Sequence, residues 1–117
     1  MKLGMISWIR EEDFRHVKEK GLSFVELDVN DRAQEFLDAL EDIKAYSRRY
    51  ELPVAAVGRW GSDRIDEKGI REEELSLEYR LIDATAELGC DIYITGCNYV
   101  EAISYYENCS FAISFSK

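Results

Sequence analysis

The sequence predicts an α/β fold of repeating strand–helix units with parallel strands, and three observations carry that reading. Short apolar segments alternate with amphipathic stretches along the whole chain. Glycines stand where the amphipathic stretches end, at Gly21 and Gly89, just ahead of the next apolar segment. Successive strands begin about 30 residues apart, enough for one parallel strand and its crossover helix.

Lys2–Ser7 (KLGMIS) reads as the first strand. Glu11–Lys20 follows as a helix, with acids in its first turn and Lys18 and Lys20 near its end, the arrangement a helix dipole favours. Phe24–Asp28 (FVELD) is the second strand, after which Asn30 or Asp31 is placed to cap a helix. Along that helix Phe36, Leu37, Leu40, Ile43, Ser47 and Tyr50 recur at three-four spacing and define one packing face. Pro53 opens a third strand, Val54–Gly58, at a position where its missing N–H is tolerated. A polar loop, Arg59–Gly69, leads into a helix over Arg71–Leu88 whose expected apolar stripe is Leu75, Tyr79, Ile82 and Ala86. Asp91–Gly96 (DIYITG) is the fourth strand, and from Glu101 onward the chain opens a fourth helix.

The order β-α-β-α-β-α-β implies parallel strands joined by right-handed crossovers. Such a chain forms either an open doubly wound sheet or part of a closed barrel. A doubly wound sheet usually advertises a phosphate loop in its first strand–helix turn. Here that turn reads Ser7-Trp8-Ile9-Arg10, and neither GxGxxG nor GxxxxGK[ST] occurs in the chain. The expectation is therefore the first four strands of a TIM-type (β/α)8 barrel. Residues 1–117 would form one partial barrel domain, a half-barrel with three full helices and the start of a fourth. A closed eight-unit barrel takes roughly 250 residues.

Composition narrows function by exclusion. With 24 acids against 15 Lys and Arg and a net charge of −9, the chain lacks the basic surface that nucleic-acid backbones reward. No segment is long and apolar enough for a membrane helix, and the N-terminus has no signal-peptide order. Cys90, Cys97 and Cys109 have no CxxC spacing and leave one thiol unpaired, which fits a cytoplasmic protein better than a disulfide scaffold. His16 is the only histidine and lies within the first helix, so neither HxH nor HExxH is available to a metal. Cys97 has no histidine beside it to make it a nucleophile.

In a barrel, chemistry gathers at the C-terminal ends of the strands. Alternation along FVELD puts Val25 and Leu27 toward the helices and Glu26 and Asp28 toward the lumen. Inward carboxylates at a strand end suit sugar hydroxyls, the shell around a metal's ligands, or an arginine; a solvated pair near the rim or a structural salt bridge is the alternative. Arg59 and Trp60 follow the third strand. They offer a clamp for phosphate or carboxylate and a flat wall for a sugar ring, or else a surface arginine beside a packed indole. Ser7 and Trp8 hold the matching place after strand one. Asn98, after strand four, suits a substrate hydroxyl or ordinary turn chemistry, and Gly96 allows close backbone approach.

The segments GMISW, GLSFVELDV, LPVAAVGRW and AELGCDIYITGCNYVE, in this order, resemble the sugar phosphate isomerase/epimerase family of xylose-isomerase-like barrels. The same fold also serves endonucleases of the endonuclease IV type, which the acidic charge disfavours here. The resemblance runs over essentially the whole chain, as the barrel's first four units. It implies a divalent metal (Mn, Mg, Co or Zn) at the barrel mouth and a pair of glutamates moving a proton beside a carbonyl. Those ligands and acids lie mostly on the family's later strands. Glu26, Arg59, Trp60 and Asn98 carry over as substrate contacts, with no catalytic residue and no metal ligand assigned to this chain. A small sugar or sugar phosphate is the expected ligand. The alternative is a non-enzymatic half-barrel that self-associates through its open edges as a homodimer, hiding Tyr105, Tyr106, Phe111 and Phe115.

Overall fold

A computed structural model describes residues 1–116. Its main sheet has four strands, β1 (Gly4–Ser7), β2 (Phe24–Asp28), β3 (Val54–Gly58) and β6 (Tyr93–Ile94), in the order β1-β2-β3-β6. All three pairings are parallel. Neighbours in the sheet follow chain order with no reversal, so the switch point of a doubly wound sheet is absent among the described residues.

The helices are α1 (Glu11–Glu19), α2 (Ala33–Asp38), α3 (Leu40–Tyr50), α4 (Glu72–Glu87) and α5 (Tyr105–Phe115). One face of the sheet meets them. Val25, Leu27 and Val57 are fully buried there with Phe14, Val17, Phe36, Ile43 and Leu81. That packing settles the alternation in β2: the apolar residues turn to the helices, and Glu26 and Asp28 take the opposite face.

Four expectations are corrected. The helix after β2 is broken at Ala39 (φ −96°, ψ 5°) into α2 and α3, which lets Phe36 and Ile43 both reach the core across the bend. Neither Asn30 nor Asp31 caps it; the N-cap is Arg32 without a side-chain bond, and Asn30 instead adopts a left-handed conformation (φ 49°) that asparagine tolerates. The polar loop after β3 contains a small antiparallel hairpin, β4 (Ile65–Asp66) with β5 (Gly69–Ile70). Along α4 the buried residues are Glu78, Leu81, Ala84 and Thr85, whereas Tyr79 and Ile82 of the expected stripe are exposed. The face actually buried begins with a glutamate, so a reading of apolar spacing selects the neighbouring face.

The last helix is longer than an opening turn. Ser104 and Glu107 form a reciprocal capping box at the start of α5. Its aromatic residues divide. Tyr105 and Tyr106 are exposed, Phe115 is buried, and Phe111 packs on the hairpin beside Gly69.

Candidate functional site

Two rows of side chains cross the face of the sheet turned away from the helices. Strand register aligns Ile6 with Glu26 and Ala56, and one step toward the C-terminal ends aligns Asp28 with Gly58 and Ile94. A bulge in β3 between Val54 and Ala56 maintains this alignment. At Gly58 a Cβ would sit 3.8 Å from both the Glu26 carboxylate and Ile94, so glycine leaves an opening there, bordered by carboxylate and hydrocarbon.

Loops at the strand ends build the rim. Ser7, Trp8, Asp28, Asn30 and Arg32 surround a cavity of about 390 Å³, which α1 borders with Asp13 and His16. The Arg32 guanidinium lies over the Trp8 ring at 3.8 Å, a cation–π contact that steadies both side chains. Asp28 lines the same cavity, and its Oδ1 is out of solvent and accepts no hydrogen bond among the described residues. A buried acceptor in that state suits a donor brought by a ligand.

A second cavity of about 280 Å³ opens beside it, lined by Trp60, Arg64, Gly96, Cys97 and Asn98 among others. Asn30 connects the two, its Oδ1 accepting from the Trp60 backbone N–H at 3.3 Å and its carbonyl from Arg59 Nε at 3.2 Å. The Trp60 indole is half exposed and lies against Gly96, where a Cβ would come within 2.8 Å of the ring. Glycine at 96 is what lets the indole lie flat as a wall. The Cys97 thiol is pushed up by partial burial, the opposite of an activated nucleophile.

Of the four expected substrate contacts, Glu26 and Trp60 face open space. Glu26 makes no hydrogen bond within the described residues. Arg59 turns inward, only 3% exposed, and pairs with Glu74 at 2.8 Å and Glu78 at 2.8 Å. Arg64 joins the same Glu78 oxygen at 3.3 Å. The Tyr93 phenol points into this cluster, and burial together with the Glu78 carboxylate holds its pKa far above the usual range. Asn98 is likewise engaged with backbone: its Oδ1 accepts from Arg64 N–H at 2.7 Å and Ile65 N–H at 3.1 Å, and its amide donates to the Ile65 carbonyl at 3.0 Å. Both residues build the rim. The sequence did hold one signal for the cluster. Glu74 and Glu78 lie one helical turn apart on a single face, a like-charge pair that repels unless cations lie between.

Glu74 supplies a pH dependence. Burial raises its pKa, but hydrogen bonds from Arg59 and Ser62 and the charge of Arg59 outweigh that and leave it below the ordinary 4.5. A depressed folded-state value adds stability above the unfolded-state pKa, and that stability disappears as pH falls through the folded-state value. Urea midpoints measured from neutral to acid pH should therefore hold steady until below about 4.5 and then fall. Glu74→Gln should flatten part of that acid limb; an unchanged limb would remove Glu74 from the account.

Comparison with known proteins defines the architecture. No family model and no curated protein sequence matches the chain. Among solved structures it is similar to the apo form of 3-keto-D-glucoside 4-epimerase, YcjR, from E. coli, with a TM-score of 0.73 over 98% of this chain and 49% of that one. The fold is half of a TIM barrel. At 18% identity the likeness is one of fold, and the chain spans about half the length of the epimerase it matches. The xylose-isomerase-like resemblance read from the strand motifs is thus met at the level of architecture. No helix of the described residues is long and apolar enough to cross a membrane.

The described residues do not fit the divalent metal that the sequence resemblance implies. No group of three or more His, Cys, Asp or Glu side chains gathers to hold one. Asp13, His16 and Asp28 border one cavity without forming such a group.

Proposed function

We propose that this chain is the N-terminal half of a sugar epimerase or isomerase barrel, that it supplies part of the sugar-binding wall, and that it does not turn over substrate alone. The observation that carries the reading is that Asp28 and Trp8 line one strand-end cavity while Asp28 Oδ1 has no hydrogen-bond partner among the described residues. A sugar offers what this surface lacks: hydroxyl donors for Asp28 and Glu26, and a C–H face for Trp60. Arg59 and Asn98 act on the sugar by holding the rim that carries Trp60. The half-length likeness to an epimerase acting on a 3-keto-D-glucoside supports the same substrate class. Proton transfer beside a carbonyl needs a positioned acid–base pair, which the family resemblance places mostly on the later strands of the barrel.

Tryptophan fluorescence during titration with a 3-keto-D-glucoside tests this. Saturable quenching is expected, with no epimerised product from the chain alone and no change in thermal midpoint on adding Mn²⁺. Trp60→Ala should weaken binding about tenfold, equivalent to ~1.4 kcal/mol. Gly96→Ala should weaken it comparably while removing no polar group, because the added methyl tilts the indole off its seat. A chain blind to the sugar at millimolar concentration would refute the binding half of the proposal. Turnover by the isolated chain would refute the other half.

A further inference from the structure

Among the described residues, the four-stranded sheet leaves β1 and β6 with no neighbour on their outer sides. Strands at a sheet edge are normally guarded by charge, proline or a covering segment. Here β1 reads GMIS and β6 reads YI, with no charged residue and no proline in either. Large apolar side chains stand exposed beside both edges: Ile6 at 62% and Leu3 at 58% on one, Ile92 at 54% on the other. Ile6 and Ile92 occupy the face that lines the lumen of a barrel, where side chains are ordinarily packed in layers.

The molecule's dimensions agree. Its radius of gyration is 16.2 Å, whereas a compact chain of this length has about 13 Å. It exposes 7292 Å², about 700 Å² more than a compact chain of its mass. That excess is close to the ~800 Å² each partner buries in a stable complex.

We propose that a second copy of this chain covers this surface, the two half-barrels closing about a twofold axis into one eight-stranded barrel. Strand polarity permits it. A twofold rotation brings β6 of each copy beside β1 of the other, and every strand in the ring remains parallel. Four strands from each copy make eight, the number whose interior side chains just fill. Closure removes both edges of both copies in one step. The charge of −9 on each copy lies outside the edge strands, so added salt should strengthen the pairing. The proposal rests on the fold and is independent of the sugar reading.

Light scattering of the 117-residue chain from micromolar to hundreds of micromolar, with Cys97→Ser and Cys109→Ser in place, should give twice the chain mass. Ile6→Lys places an amine in the closed lumen but on an exposed site of the monomer. It should weaken the dimer by on the order of a hundredfold with an unchanged circular dichroism spectrum. In the same background, Ile6→Cys combined with Ile92→Cys, or with Ile94→Cys one step along the same face, should oxidise to a covalent pair and nothing larger. A monomer at every concentration, an oxidation ladder of higher species, or a dimer indifferent to Ile6→Lys would each overturn the proposal. The first of these would mean that something other than a second copy covers the open edges. Sugar titration of the same samples reads the binding proposal separately.

Discussion

Glu78→Ala should cost this domain about 3–5 kcal/mol, the range observed when one member of a buried ion cluster is deleted. Glu78 is 3% exposed, and its Oε1 accepts from Arg59 at 2.8 Å and Arg64 at 3.3 Å. Glu74 balances the second charge through Arg59, so two guanidiniums and two carboxylates make the cluster neutral. Deleting Glu78 leaves two buried cations sharing one carboxylate. Their desolvation is then uncompensated, and the thermal midpoint should fall by more than about 10 °C. Removal of the exposed Glu73, five residues nearer the helix start, should change almost nothing. The decisive comparison is a quadruple variant with Arg59, Arg64, Glu74 and Glu78 all replaced by methionine or leucine, which leaves none of the cluster's charges unpaired. It should recover much of the loss, because the unpaired charge is the damage. A Glu78→Ala protein as stable as the parent would show that the cluster carries no weight.

The cluster also connects stability to the candidate site. Arg64 donates to the carbonyl of Arg59 at 3.0 Å and to Thr95 Oγ1 at 3.3 Å, so it ties the ends of β3 and β6 together beneath Trp60. Loosening it should free the indole. The Glu78→Ala variant should accordingly show a red-shifted, more mobile tryptophan signal well below its unfolding temperature.

The parallel order of the sheet was legible because its signals are local. Periodicity, glycine stops and strand spacing each depend on a few consecutive residues, and all agreed on four strand–helix units. The facing of β2 was legible for the same reason, since alternation over FVELD allows one arrangement once Val25 and Leu27 must be buried. What escaped depended on partners far along the chain. The buried face of α4 carries Glu78, and only Arg59 and Arg64, 19 and 14 residues away, make a glutamate tolerable there. The break at Ala39 leaves no mark in composition, because alanine favours helix. It arises from packing, as Phe36 and Ile43 both reach the core.

The candidate site shows the same division. Its location at the strand ends followed from the fold class, and Glu26 and Trp60 lie there. The engagement of Arg59 and Asn98 did not follow, since an arginine or asparagine after a strand reads alike whether it faces a ligand or its own backbone. Asn30 was read for a helix cap and instead joins the two rim loops.

Asn98 separates those two roles by experiment. Its side chain satisfies two backbone N–H groups and one carbonyl of residues 64 and 65, where Ile65 is 1% exposed. Alanine there leaves all three without a protein partner, at about 1 kcal/mol or more each, so Asn98→Ala should lose about 2–4 kcal/mol. The loss should be local first. Amide exchange should quicken across the β4–β5 hairpin before it does in the β2–β3 core. Asn98→Asp keeps the two acceptor bonds but sets a carboxylate oxygen against the Ile65 carbonyl, so it should fall between parent and alanine. A surface asparagine serving only a sugar behaves otherwise: both variants would keep the parent's urea midpoint and exchange pattern and lose sugar affinity alone. If affinity falls only in step with hairpin protection, Asn98 reaches the sugar through the rim it holds.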